Sequence, residues 1–363
     1  MYCVTSIYHL IDRISIQSIK KNLLKNIKIK YFETKTFPVI EHLIHNRNKE
    51  EYFSEFLEEI SEKDRRLLRT VVQMYAPRSQ AFEHSWGYVI QATRYGKLRW
   101  YDPRTNSLIF FGRKSSEDHT LVVPIFFADP SYLATTLRVV QKITGASQTI
   151  LKNIDPKDIN KYFPYGFRPY TDNENWDPEA RFDDQTFPQL LVDLNAVIKS
   201  KGSDYRKLRK YLRRGHKYQI RPYQKRDQEA VLNLLALKDG LSENTGITLS
   251  RKFTVSHDMY PLSDTDKFVI EDNKGIVGFT VTSDISSACT AFCAGIFLPS
   301  KPELAPWGLY HTMELKYSQG FEVVNLGGSE TQGTMEFKRQ LFRPMRELPR
   351  THLIFCKGNS EVP

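Results

Sequence analysis

The stretch NLGGSETQGTMEFKRQLFRP, residues 325–344, joins two different apolar patterns. The segment that leads into it, FEVVNLG, is short and β-branched and predicts a buried strand. The residues TMEFKRQLF have helical composition, and Pro344 supplies a stop. A strand, a Gly-Gly-Ser turn and a helix N-terminus leave backbone N–H groups that can face a phosphate or a carbonyl oxygen. The alternative is that Gly327 and Gly328 only let the chain turn.

Strand-like and helical patterns alternate around this stretch in a β-α-β-β-β-α-β-α-β order, from YQIRPYQ to RTHLIFC, after FPQLLVDLN and a basic helix. Upstream, the helical EKDRRLLRTVVQMY, the strand-like WGYVIQAT, NSLIFFGR and TLVVPIFFA, the helical PSYLATTLRVVQKI and the strand-like QTILKNI have a similar order. The acid-rich YTDNENWDPEARFDD, residues 170–184, predicts a loop or linker between the two. We therefore expect an α/β (α+β) fold with an N-terminal basic segment 1–49, a first unit 50–184 and a second unit 185–363.

The bulk composition is that of an ordinary globular protein: 363 residues, 40% hydrophobic, 12% aromatic and 26% charged. The net charge of +10, from 52 Lys and Arg against 42 Asp and Glu, favours polyanionic partners such as nucleic acid or anionic lipid. No apolar run approaches the roughly 18 residues of a spanning helix and no signal-peptide pattern occurs, so we expect a cytoplasmic protein. Residues 1–35 could form a basic amphipathic helix on a membrane surface, a helix packed on the body, or a loosely ordered end.

The motifs of several enzyme classes do not occur in the sequence. There is no Ser-His-Asp order, no zinc-ligand spacing and no Walker loop, which argues against hydrolases, metalloenzymes and NTPases. Nothing in the sequence demands a cofactor or a metal. The four cysteines lack histidines at ligand spacing, and we expect buried thiols at Cys3, Cys289, Cys293 and Cys356.

A basic helix is predicted within KGSDYRKLRKYLRR, residues 201–214. Helical spacing puts Tyr205, Leu208 and Leu212 on one stripe, which we expect to pack on the body. The opposite arc carries cations that could contact RNA phosphates, and a solvated helix face is the alternative. These cations are Arg206, Arg209, Lys210 and Arg213, and together with Tyr205 they are the predicted tRNA-binding residues.

The element order, the basic segment 201–214 and the ending GTMEFKRQLFRP resemble the C-terminal catalytic domain of lysyl- and alanyl-phosphatidylglycerol synthases, over roughly residues 50–356. This resemblance implies two tandem GNAT-like acyltransferase units with mixed central sheets, and aminoacyl-tRNA as the donor. It implies a small-molecule or phospholipid acceptor. The flippase that precedes this domain in the lipid synthases does not appear in this chain, and the glycine-rich loop with which ordinary GNAT enzymes hold coenzyme A is absent too.

Aminoacyl transfer is attack of a nucleophile on an ester carbonyl, so the protein must orient two substrates, remove a proton and stabilise an oxyanion. We expect free N–H groups at Gly327, Gly328 and Ser329 to serve the oxyanion. Glu330 could accept the proton or bind the α-ammonium of the donor, and the alternative is a carboxylate favoured by the helix dipole.

The remaining predicted site residues lie on neighbouring elements. The resemblance implies that Lys338 is a catalytic residue that steadies the terminal phosphate or adenosine of tRNA, and the alternative is a surface lysine. Arg339 is predicted as a further substrate contact. Asp284 and His311 are secondary candidates for the base, although His311 could be a packed or surface histidine.

The sequence therefore predicts an aminoacyltransferase that uses aminoacyl-tRNA. An N-acyltransferase with an acyl-thioester donor and a non-catalytic RNA-binding protein are the alternatives.

Overall fold

The structure is a computed structural model that describes residues 56–93, 96–113, 120–170, 188–243, 267–329 and 332–356, with the side chains at 235 and 238–243 left out. The contact pattern sets Met1–Phe53 apart from Ser54–Pro363, and every described residue lies in the latter unit. The predicted basic segment 1–49, most of the predicted linker and Glu330 lie outside the described residues. The predicted domain boundaries stay a prediction.

Strands and helices alternate along the described chain. Up to residue 170 they are β1 (Leu57–Glu59), α1 (Lys63–Tyr75), α2 (Trp86–Ala92), β2 (Leu98–Asp102), β3 (Ser107–Arg113), β4 (Leu121–Val123), β5 (Phe126–Phe127), α3 (Pro130–Thr144), β6 (Gln148–Ile154) and β7 (Phe167–Pro169). From residue 188 onward they are β8 (Gln189–Asp193), α4 (Leu194–Lys199), α5 (Arg206–Arg214), β9 (Gln219–Pro222), α6 (Gln228–Glu243), β10 (Lys267–Asp272), β11 (Gly275–Asp284), β12 (Cys289–Phe297), α7 (Leu304–Ser318), β13 (Val323–Asn325), α8 (Gln332–Phe342), β14 (Arg346–Leu348) and β15 (Thr351–Cys356).

The strands form two mixed sheets. The first is eight-stranded, with the order β1-β2-β3-β4-β6-β15-β7 and β5 paired to β3, and the second is seven-stranded, with the order β14-β8-β13-β12-β11-β10-β9. Each sheet contains a parallel pair, β4 with β6 and β12 with β13, among antiparallel neighbours. The predicted α/β (α+β) class with mixed central sheets is confirmed.

One predicted strand, WGYVIQAT, is helix α2 instead. Ser85 caps it, since its side-chain oxygen accepts a hydrogen bond from the Tyr88 N–H. Trp86 and Val89 lie on one helical face and are buried in the cluster that α1 and β3 also line. Tertiary packing and the cap thus override the β propensity of the aromatic and β-branched residues.

Strand β15 lies in the first sheet, between β6 and β7, although it follows the whole second sheet in sequence. The sequence order predicts RTHLIFC at the end of the second unit, so the position of this strand is a correction. The short strands β1, β2, β7 and β14 and the helix α4 are not predicted from the sequence, because three to six residues carry little periodicity.

Candidate functional site

The second sheet opens between two parallel strands. β12 pairs with β13 only at Cys289–Val323, Thr290–Val324 and Ala291–Asn325, after which β12 continues to Phe297 without that neighbour. The chain leaving β13 follows β8 instead, through hydrogen bonds between the backbones of Leu190 and both Leu326 and Gly327. The split between the strands is therefore bordered by the second half of β12 on one side and the Gly-Gly-Ser turn on the other.

Gly327 has φ +66°, a left-handed conformation that disfavours a side chain. A Cβ at this position would lie 3.3 Å from the ring of Phe82, which belongs to the first half of the chain. The Gly327 N–H donates to the Asn325 side-chain oxygen at 2.8 Å. This N–H was expected to be free for an oxyanion, and it is already bound.

Asn325 is a buried residue of the site that the sequence analysis did not single out. Its amide nitrogen donates to the Gln80 carbonyl oxygen at 2.6 Å and to Gln189 Oε1 at 2.9 Å. Gln189 in turn donates to the buried Glu83 at 2.8 Å, and Arg350 lies 3.0 Å from the same carboxylate. One continuous polar network therefore joins the turn after β13 to the segment before α2.

Lys338 holds the turn from the side of α8. Its ammonium donates to the carbonyl oxygen of Leu326 at 2.9 Å and to that of Gly328 at 2.5 Å. Charge-assisted bonds to carbonyl groups are stronger than neutral ones, so they fix the backbone of the turn. The sequence predicts that this side chain contacts tRNA, with a surface lysine as the alternative; in the structure it is half-buried, and its ammonium binds the two carbonyl groups.

Ser329 completes the described part of the turn. It is only 3% exposed, and its hydroxyl oxygen has no hydrogen-bond partner among the residues that the structure describes. Within the described residues, the N–H groups of Gly328 and Ser329 have no acceptor either. Two of the three predicted oxyanion donors, at Gly328 and Ser329, are therefore available.

Three other predicted site residues have side-chain partners away from the turn. The Asp284 carboxylate lies 3.1 Å from the ammonium of the buried Lys316 and 3.4 Å from the Arg69 guanidinium. In the sheet register Asp284 of β11 is level with Val324 of β13, and β12 lies between these two residues. His311 Nδ1 lies 2.8 Å from the Glu314 carboxylate, and its ring is tilted against that of Trp307 with the centroids 4.1 Å apart, so it is a packed, partly exposed histidine. Arg339 makes two bonds to Glu347, at 2.8 and 2.9 Å, on strand β14.

The predicted basic helix forms as α5, and its apolar stripe packs as expected. Leu208 is fully buried, and Tyr205 and Leu212 pack against the same cluster, between α5 and the helices α7 and α8. Arg209 bends back to the Ser200 carbonyl oxygen, and Lys207 donates to Gln340 of α8 at 2.8 Å.

The outward face of α5 is cationic. Arg206, Lys210, Arg213 and Arg214 are exposed, and none of them forms an ion pair in the part of the chain that the structure describes. The opposite, apolar stripe of α5 packs on α7 and α8, so the cationic face points away from these two helices into solvent. Helix α7 joins β12 to β13, and α8 follows the turn after β13.

Among the described residues, no helix is both long enough and apolar enough to cross a membrane. No group of three His, Cys, Asp or Glu side chains in the same residues could hold a metal ion. Cys289 is buried and free, and burial raises the pKa of its thiol to about 12.

Known structures share this fold. A conserved protein of unknown function from Bacteroides thetaiotaomicron matches with a TM-score of 0.63 and 12% identity, over 83% of this chain and 99% of that one. The C-terminal DUF2156 domain assigned to a lysylphosphatidylglycerol synthetase from Agrobacterium fabrum matches with a TM-score of 0.52 and 13% identity, over 80% of this chain and 93% of that one. L-PGS from Bacillus licheniformis matches with a TM-score of 0.55 and 15% identity, over 84% of this chain and 94% of that one. No protein-family model and no curated protein matches the chain. The resemblance noted in the sequence is thus matched in fold.

Proposed function

We propose that this protein is an acyltransferase that passes an amino acid from aminoacyl-tRNA to a small-molecule or phospholipid acceptor. The fold shared with lysylphosphatidylglycerol synthetase structures supports the class of reaction. The observation that carries the choice of donor is the unpaired cationic face of α5.

The cations suit a polyanion for a physical reason. Arginine and lysine that neutralise phosphates release condensed counterions, and this gain is sequence-independent and salt-dependent. Cations paired with carboxylates would gain less, because the existing partner must first be given up. Arg206, Lys210 and Arg213 have no such partner in the described chain, so they are suited to the backbone of an acceptor stem.

The split between β12 and β13 offers what acyl transfer needs. An ester of tRNA is already activated, so the protein has mainly to orient the reactants and stabilise the developing oxyanion. The N–H groups of Gly328 and Ser329 are donors of the right kind, and Glu330 keeps its predicted role as proton acceptor or ammonium ligand.

The test is transfer from bulk tRNA charged with labelled amino acids, with vesicles of phosphatidylglycerol or a pool of small-molecule acceptors. The expected result is acceptor-dependent loss of the ester bond. Transfer from acetyl-CoA alone would contradict the tRNA donor, and tRNA binding without any transfer would identify an RNA-binding protein.

Charge reversal separates specific binding from net charge. Arg206→Glu, Lys210→Glu and Arg213→Glu together should weaken tRNA binding and lower the slope of log affinity against log salt by about 0.7–0.9 for each phosphate that is no longer neutralised. The matched control reverses three exposed cations of the first half, Lys63, Lys157 and Arg168, for the same change in net charge. Equal losses of affinity in the two triple variants would show that only net charge matters.

A further inference from the structure

We infer that Lys338 is a positioning residue: it orients the turn so that the N–H and the hydroxyl of Ser329 together receive the acyl carbonyl oxygen. This inference rests on the proposed acyl transfer but not on the identity of the donor. It gives Lys338 a different task from the direct contact with tRNA that the sequence suggests.

The peptide geometry supports this orientation. In a trans peptide unit the C=O and the N–H point in opposite directions, and the described chain contains no cis peptide bond. Lys338 binds the carbonyl oxygens of Leu326 and Gly328, so the N–H groups of Gly327 and Ser329 must point away from its ammonium. The Gly327 N–H donates to the Asn325 side-chain oxygen, and the Ser329 N–H has no acceptor in the described residues.

The buried hydroxyl of Ser329 is the independent observation. Buried polar atoms almost always have a partner, and an exception calls for an explanation. Ser329 is 3% exposed, and neither its Oγ nor its N–H has a hydrogen-bond partner in the described part of the chain. Two donors on one residue, ahead of the N-terminus of α8, suit a single oxygen that becomes negative.

The transfer step balances with these donors. The acceptor's amine or hydroxyl attacks the acyl carbonyl carbon, and the C=O π electrons move to the oxygen, which the Ser329 N–H and hydroxyl then stabilise. The tetrahedral intermediate collapses, the C=O re-forms, and the bond to the leaving oxygen breaks. The proton of the nucleophile ends on that leaving oxygen, which for aminoacyl-tRNA is the ribose hydroxyl.

The experiment compares Lys338→Met, Lys338→Arg, Ser329→Ala and the double variant Lys338→Met/Ser329→Ala, with Lys157→Met as a matched surface control. The turnover number, the tRNA dissociation constant and amide hydrogen exchange of the segment 321–337 are measured for each. Lys338→Met should lower turnover by about 10 to 1,000-fold, and Ser329→Ala by about 10 to 100-fold, with tRNA affinity within about twofold of wild type.

Two results distinguish positioning from contact. If Lys338 acts through Ser329, the double variant should be no slower than Lys338→Met, because the effects are not additive. Lys338→Met should also speed amide exchange across the turn without substrate, whereas Lys338→Arg should restore part of both the protection and the turnover.

The inference is overturned if Lys338→Met keeps wild-type turnover or wild-type exchange, if the two single losses multiply, or if tRNA affinity falls in step with turnover. An active wild type that uses only acetyl-CoA refutes the tRNA donor alone, and the same variants then decide the role of Lys338 in that reaction. A wild type that transfers from neither donor overturns both proposals.

Discussion

Replacing Gly327 by alanine tests whether the turn requires a left-handed glycine packed against Phe82. A left-handed conformation costs an L-residue about 1–2 kcal/mol, partly offset by about 0.4–1 kcal/mol from the restricted unfolded chain. The new methyl group would lie 3.3 Å from the Phe82 ring, so the ring must move by a few tenths of an ångström. This movement should destabilise the fold by about 1 kcal/mol, the low end of the range for overpacking. We expect a total loss of about 2 kcal/mol in the free energy of unfolding.

The matched control for Gly327→Ala is Gly145→Ala. Gly145 has φ +74° at the end of α3 and nothing within 4 Å of its Cβ position, so the substitution there should cost only the conformational part, about 1 kcal/mol. Urea unfolding of both variants gives the difference between their losses in the free energy of unfolding. Adding Phe82→Leu to each variant should reduce that difference. Equal losses at the two glycines would refute the close approach of Phe82, and no loss at either would refute the conformational argument.

Three further substitutions test features around the site. Gly215→Ala should lose about 3 kcal/mol or more, because its Cβ would lie 2.2 Å from Trp307 Cδ1, and Trp307→Phe should recover part of that loss in a melting experiment. Burial, with Arg350 nearby, lowers the pKa of His84 to about 3, so the folded state keeps it neutral while the unfolded chain takes up a proton below about pH 6.5. Stability should therefore fall as pH drops from about 6.5 towards 3, and His84→Gln should flatten that fall by up to about 1.4 kcal/mol per pH unit. Asp284→Asn should lower the free energy of unfolding by about 2 kcal/mol or more, since it removes the carboxylate that pairs with the buried Lys316. At assay temperatures well below the melting temperature of the variant, its turnover number should equal that of wild type. A variant of wild-type stability that has lost turnover would show that Asp284 acts as a base.

Elements with complete local signals could be predicted from the sequence. The run QTILKNI coincides with β6, and the segment after Asp129 forms α3, which Asp129 caps and left-handed Gly145 ends. The stripe of Leu208 is likewise local, since it depends only on helical spacing. Helix α2 was predicted as a strand although its Ser85 cap is local, because its aromatic and β-branched residues favour a strand and its buried face packs on α1 and β3, which the sequence pattern does not show.

The candidate site depends mostly on distant contacts. The turn after β13 could be singled out because its glycines mark it locally, whereas Lys338 was singled out through the family resemblance of the ending GTMEFKRQLFRP. The bond from the Gly327 N–H to Asn325 is local, since an Asn side chain commonly accepts from the backbone two residues on. That Gln80 and Gln189 hold the Asn325 side chain follows only from contacts across the chain. The parting of β12 from β13 has no sequence signal, because parallel neighbours are brought together by the intervening helix α7.

The position of β15 has a consequence for synthesis on the ribosome. Thr351–Cys356 must reach its place between β6 and β7, and those two strands are made roughly 200 residues earlier. Until then, β6 exposes an unpaired edge, and β7 has no strand to bind within the described residues. The nascent first sheet is therefore open to wrong pairing or to chaperone binding throughout translation of the second sheet, and its closure should be a slow, late event of folding.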